Sequence, residues 1–186
     1  MKIIITENQY ELLKDKPKVY NFPSLDVFGY EEPIDNWNLM QKFLVKKGNP
    51  EYTVGGDLDL SETPIESLGN LTSVGGYLDL YFTPIKSLGN LTTVGGKLSL
   101  EQTPIESLGN LTTVGGDLFL TSTSIKSLGN LTSVGGDLYL SYTPIKSLGN
   151  LTSVGGSLGL TYTPISKKYT EEEIRSQVEV KGNLYI

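Results

Sequence analysis

The sequence of 186 residues contains no cysteine and no histidine. Those two absences remove thiolate chemistry, disulfides, Cys/His zinc sites and every histidine-based catalytic triad, leaving carboxylates, lysine, tyrosine, serine and threonine as the reactive side chains. Positive charge is also scarce, with 15 Lys and Arg against 21 Asp and Glu and a net charge of -6. A protein that holds duplex nucleic acid by neutralising phosphates needs the opposite balance, so nucleic acid is not an expected partner. Long apolar runs are missing as well. The N-terminal MKIIITENQYELL carries one lysine and a short apolar stretch interrupted by polar residues, too brief for a signal-peptide core or a membrane span. The expectation is a soluble, cytoplasmic protein with no membrane partner, and the length suits one domain.

What the sequence does have is repetition. From Val54 the chain reads VGGDLDLSETPIESLGNLTS, and the same twenty-residue unit restarts at Val74, Val94, Val114, Val134 and Val154, the sixth copy diverging after Ile165. Leu58 and Leu60 alternate with polar residues, the period-two signature of a strand with one buried face. After them Ile65, Leu68, Leu71 and Val74 recur at every third residue, a spacing that suits a 3₁₀ or extended return path in a segment too glycine-rich for a regular α-helix. Six apolar side chains in one unit cannot offset the entropy of ordering twenty backbone residues, so a single copy is expected to be unfolded and the copies must stack.

The motif VGGxLxLxxTxI resembles the leucine-rich-repeat pattern LxxLxLxxNxL, with Thr63 where that pattern has asparagine. It departs in placing Val54 ahead of two glycines and in having a shorter convex segment. The longer string TPIxSLGNLTxVGG is similar to repeats of bacteriophage and large-DNA-virus proteins. The resemblance covers residues 54 to 165 and implies an α/β fold: a right-handed leucine-rich-repeat solenoid with one parallel β-sheet, an N-terminal helical cap and a C-terminal cap of helix plus strand. A parallel β-helix is the alternative, set aside because it needs several strands per coil and only the LxL segment alternates.

Three stretches follow. Residues 1–53 form the N-terminal cap, 54–165 the repeats, and 166–186 the C-terminal cap. In the first, Lys2 to Ile5 reads as a strand, Thr6 with Gln9 as a capping box for a helix through about Lys14, and residues 15 to 34 as irregular. A helix from about Asp35 then places Trp37, Met40, Phe43 and Leu44 on one face and stops at Gly48 and Pro50. In the last stretch, Thr170 and Glu173 form a second capping box, and VKGNLYI matches VGGxLxL as a seventh strand. Within the repeats, Thr63, Thr83, Thr103, Thr123, Thr143 and Thr163 are expected to form a hydroxyl ladder that satisfies turn backbone groups. Proline follows the threonine in every copy except at Ser124, and the GlyAsn and GlyGly pairs mark corners.

Variation between copies is concentrated beside the paired leucines. The residues there include Asp57, Asp59, Glu62, Tyr77, Asp79, Tyr81, Phe82, Glu101, Phe119, Tyr139, Tyr142, Tyr162 and Tyr185. In a leucine-rich repeat these positions line the concave face, and seven strands at the usual spacing make a platform about 29 Å wide. Its acidic residues lie toward the N-terminal end and its aromatics toward the C-terminal end. The face is therefore expected to bind another protein carrying a basic patch beside an apolar one. Given the viral resemblance, that partner would be a host factor, such as a component of host defence, met in the host cytoplasm. A structural role, with self-association through the same face, is the alternative, and cross-strand stacking of aromatics needs no ligand at all. No cofactor is expected. Asp57, Asp59 and Asp79 lack the glycine-rich spacing of calcium-loop repeats, and carboxylates on an open sheet lack the enclosed pocket an enzyme needs. The column Glu66, Lys86, Glu106, Lys126, Lys146 reads as support for stacking and solubility. The repeated AsnLeuThr reads as turn chemistry.

Overall fold

The computed structural model describes residues 19–24 and 33–186. Its architecture is a parallel β-solenoid in which each twenty-residue copy forms one coil. Numbered along the chain, the strands fall into two sheets. The first sheet has eight strands: β1 (Val19–Phe22), β2 (Glu51–Val54), β4 (Leu71–Val74), β6 (Thr93–Val94), β8 (Thr113–Val114), β10 (Ser133–Val134), β12 (Ser153–Val154) and β14 (Glu179–Val180). The second has seven: β3 (Leu58–Asp59), β5 (Leu78–Asp79), β7 (Leu98–Ser99), β9 (Leu118–Phe119), β11 (Leu138–Tyr139), β13 (Leu158–Gly159) and β15 (Leu184–Tyr185). All pairings are parallel, and equivalent residues of successive copies sit side by side, as in Leu58 beside Leu78 and Val74 beside Val94.

Stacked parallel strands with two caps match the expectation, but the single sheet does not. Each coil carries two strands, because the Ser/Thr-Val pair ahead of the glycines is extended and paired as well. Only one residue of that pair is apolar, so alternation cannot reveal it. The return path from Ile65 to Leu68 contains no 3₁₀ helix. Its Ile and Leu columns are buried alongside the strand leucines and valines, which gives one continuous apolar core through the stack.

The corner between the sheets explains the glycine pair. A Cβ at Gly95 would stand 2.1 Å from the Gly75 carbonyl oxygen, so only hydrogen lets neighbouring coils close to bonding distance here. The threonine ladder is present. The Oγ of Thr63, Thr83, Thr103, Thr123, Thr143 and Thr163 each donates to the carbonyl of the leucine three residues earlier at 2.5–2.8 Å. A second ladder was not anticipated: Thr92, Thr112, Thr132 and Thr152 each donate to the carbonyl of the equivalent residue one coil before. At the opposite corner Asn70 and Asn110 donate to backbone of the preceding coil, Asn90 donates to the Asn70 side chain, and serine hydroxyls accept from Gly69, Gly89, Gly109, Gly129 and Gly149. This is the turn chemistry expected of AsnLeuThr.

Both ends are covered. Helix α1 (Pro33–Lys46) begins two residues earlier than Asp35, since proline is well accommodated in a first helical turn. It buries Trp37, Met40 and Leu44, and half-buried Phe43 meets Tyr20 and Phe22 edge-on at 5.6 and 6.3 Å. It stops where Gly48 and Asn49 turn left-handed. Tyr52 lies beneath it, its hydroxyl accepting from Gln41 and donating to the Leu68 carbonyl, and burial pushes that hydroxyl well above its ordinary pKa. β1 corrects the reading of residues 15 to 34 as irregular. Its VYNF pairs along its whole length with β2 and gains its order from that neighbour rather than from its own pattern. The expected strand at Lys2 to Ile5 and helix from Thr6 with Gln9 lie outside the described residues.

At the other end, Thr163 caps a short helix α2 (Pro164–Lys168). Helix α3 (Glu171–Gln177) carries the full Thr170 and Glu173 capping box and buries Ile174. The chain then returns to both sheets as β14 and β15. Among the described residues no helix is long and apolar enough to cross a membrane.

Candidate interaction face

With Leu58, Leu60 and their equivalents turned inward, the alternating residues between and beside them point outward from the seven-stranded sheet. In the column over the strands, Asp59, Asp79, Ser99, Phe119, Tyr139, Gly159 and Tyr185 stand in register. A flanking column holds Asp57, Tyr77, Lys97, Asp117, Asp137, Ser157 and Asn183. The turn beyond the strands presents Tyr81 and Glu101 and then a final column of Glu62, Phe82, Gln102, Ser122, Tyr142 and Tyr162. The sequence-expected site residues thus fall on the strands of this sheet, at the position before them and in the turn beyond them.

The aromatics divide into groups. Phe119 and Tyr139 stack with ring centroids 5.0 Å apart, and Tyr142 and Tyr162 stack at 4.7 Å. Tyr81 and Phe82 form a tilted pair at 6.1 Å. It is separated from the Tyr142 pair by two coils that carry Gln102 and Ser122. Tyr185 stands beyond Gly159 and accepts a hydrogen bond from Asn183. Stacked rings spaced by one coil cover each other's faces, so cross-strand stacking accounts for part of the aromatic content.

Lys97 joins the acidic end to the aromatic one. Its ammonium is 3.4 Å from Asp79 and 5.8 and 5.9 Å from the ring centroids of Tyr77 and Phe119. Burial, then Asp59, Asp57 and Asp79, raise the Tyr77 hydroxyl pKa. Burial, then Asp79, raise the Glu101 carboxyl. Further along, the Ser157 amide and the Tyr139 hydroxyl donate to Asp137 and hold its carboxyl below the ordinary range. That same bond raises Tyr139.

Several carboxylates have a backbone task that sequence reading missed. Asp57 accepts from the Tyr77 amide, Asp117 from the Asp137 amide and Asp137 from the Ser157 amide, each reaching one coil forward. Asp59 and Asp79 each accept from the amide two residues on. The signal for the first group is the repeated aspartate directly after GlyGly. Glu62, by contrast, is exposed at its turn. Among the described residues no group of three or more acidic side chains is placed to hold a metal ion.

A second missed feature is the backbone of the final column. Glu62, Phe82, Gln102, Ser122, Tyr142 and Tyr162 all have φ between 53 and 60°, the left-handed region that glycine and asparagine enter most readily. No copy uses either residue there.

Two concavities lie away from these columns. A trough of about 510 Å³ follows Ser73, Thr93, Thr113, Ser133 and Ser153 along the eight-stranded sheet, and a depression of about 750 Å³ lies against Leu39, Phe43 and Val45 of α1. No family model matches the chain, and no curated protein or solved structure matches it either.

Proposed function

We propose that the chain is a non-enzymatic scaffold that recognises another protein through the outward side of its seven-stranded sheet. The observation that carries this reading is the left-handed column. Phe82, Tyr142 and Tyr162 are 63%, 59% and 65% exposed while standing at positive φ. A bulky residue there costs about 1–2 kcal/mol relative to its usual conformations, and these three recover little of it by burial. Large apolar side chains held at a local cost and left in solvent are what a contact surface needs.

A partner with a basic patch beside an apolar patch suits the face, because Asp59, Asp79 and Glu101 gather at one end and the stacked rings at the other. Side chains spread in register over seven strands favour a macromolecule over a small ligand. The finer reading is a leucine-rich-repeat protein of viral origin that sequesters a host factor, such as a component of host defence, in the host cytoplasm. It rests on the wording VGGxLxLxxTxI and TPIxSLGNLTxVGG, and the Thr63 column serving where asparagine serves in that family supports it.

The test is recovery of partners from host extract by the intact chain and by a variant with Tyr77, Phe119, Tyr139 and Tyr142 all changed to alanine. The variant is expected to keep the β-solenoid circular dichroism and to lose the partner. Equal recovery by both would overturn the proposal. Self-association through the same rings is the second reading, favoured by the exposed Tyr142–Tyr162 stack. Light scattering of both proteins separates the two, since only self-association predicts that the variant falls in mass.

A further inference from the structure

In every inner coil the glycine corner is joined to its neighbours by a fixed pair of hydrogen bonds. Gly75 donates to the Val54 carbonyl at 2.8 Å and Gly76 to the Gly56 carbonyl at 3.0 Å. The same pair recurs at each step, ending with Lys181 to Val154 at 3.1 Å and Gly182 to Gly156 at 2.8 Å. Coil after coil, the carbonyls of the valine and the second glycine accept from the next coil. The pattern offers no intrinsic reason to stop, because the last coil again presents those two carbonyls, on Val180 and Gly182.

Both are occupied. The Arg175 guanidinium donates from Nη1 to the Val180 carbonyl at 2.8 Å and from Nη2 to the Gly182 carbonyl at 3.1 Å. Its Nε donates to Glu171 at 2.8 Å, which fixes the side chain along α3. One planar fork therefore stands in for the two amides of a further coil. Among the described residues, the opposite end is closed by a different device. The register of Phe22 with Val54 puts Pro23 where the next coil has Gly55. Gly55 donates to the Phe22 carbonyl, but Pro23 has no amide hydrogen to offer to a coil before it. Its ring also occupies the place where, one coil further on, even a Cβ at Gly75 would come within 2.2 Å of the preceding carbonyl.

We infer that Pro23 and Arg175 are paired end stops that keep a second copy of this chain from stacking onto the glycine corner of the first. One end has one of its two donors deleted and the other has both acceptors filled, so continuation is opposed in both directions. This is the management of an open edge that a repeating sheet requires.

The experiment compares the intact chain with Pro23→Gly/Arg175→Met by light scattering coupled to gel filtration over a range of concentrations. Methionine keeps the apolar stem and the helix propensity of arginine while removing its donors. The double variant is expected to gain mass with concentration, at least twofold above the parent at the highest concentration, with the parent's circular dichroism retained. Arg175→Met alone should associate less, because Pro23 still blocks one end. A folded double variant with the parent's mass would overturn the inference, as would one that only melts at lower temperature, which is what a purely stabilising Arg175 predicts. Should the double variant fail to fold, Pro23→Gly/Arg175→Leu, which also restores the amide and removes the guanidinium, decides on the same criterion.

Discussion

The two sheets of each coil share one backbone, one period and one core, yet they carry different surfaces. The outward side of the eight-stranded sheet is monotonous, with Ser73, Thr93, Thr113, Ser133 and Ser153 and then glycine in every copy. The outward side of the seven-stranded sheet holds Asp59, Asp79, Ser99, Phe119, Tyr139 and Gly159 at one equivalent position. Stacking by itself does not ask for that diversity, since the neighbouring sheet stacks without it. The comparison teaches that the fold constrains one surface and leaves the other free, and a free surface is where recognition can be written.

The largest way to break this contrast is to treat a glycine of each sheet alike. Gly95→Ala drives a Cβ into the Gly75 carbonyl and should cost about 3 kcal/mol. Gly159→Ala would place its Cβ 3.6 Å from Ser141 and Tyr139, ordinary contact distance, and should change stability by less than about 0.5 kcal/mol. Urea denaturation of both variants reads the difference, and equal losses would erase the distinction between a constrained and a free surface.

A smaller effect is expected at the threonine ladder. Thr103 is buried and its hydroxyl serves the Leu100 carbonyl, so Thr103→Val should cost about 1 kcal/mol. Thr121→Val, at the half-buried outer position of the following coil, should be close to neutral in the same measurement. The smallest effect concerns pH. The Asp137 carboxyl lies below its ordinary value of 3.8, first through the Ser157 amide and then through Tyr139. Its contribution to stability is therefore present above that value and is lost as the pH falls through it toward the folded-state pKa. Tyr139→Phe removes one of the two donors, so the Asp137 carboxyl should titrate at higher pH. NMR titration of that carboxyl checks the direction, and an unchanged titration would remove Tyr139 from the account.

Much of this arrangement was legible in the residues. The period, the paired leucines, the Thr63 column, the face of α1 and the Thr170–Glu173 box are local patterns whose physics acts within one coil or one helical turn. β1 and the second sheet were not legible. VYNF has no alternation to mark it, and a lone valine per copy becomes a strand only because an identical segment lies beside it. The backbone role of the aspartates after GlyGly was hidden for the same reason: Asp57, Asp117 and Asp137 spend an oxygen on an amide twenty residues away, which no single copy can reveal.

The repeat alone determined that this chain must stack, which side chains turn inward and which residues share an outward side, because burial and strand periodicity depend on spacing along the chain. Tertiary structure decided how many strands each coil contributes, which rings stack on which, that bulky residues occupy left-handed turns, and that Arg175 meets the carbonyls of Val180 and Gly182. Those outcomes depend on distances between coils, and only the closed stack sets them.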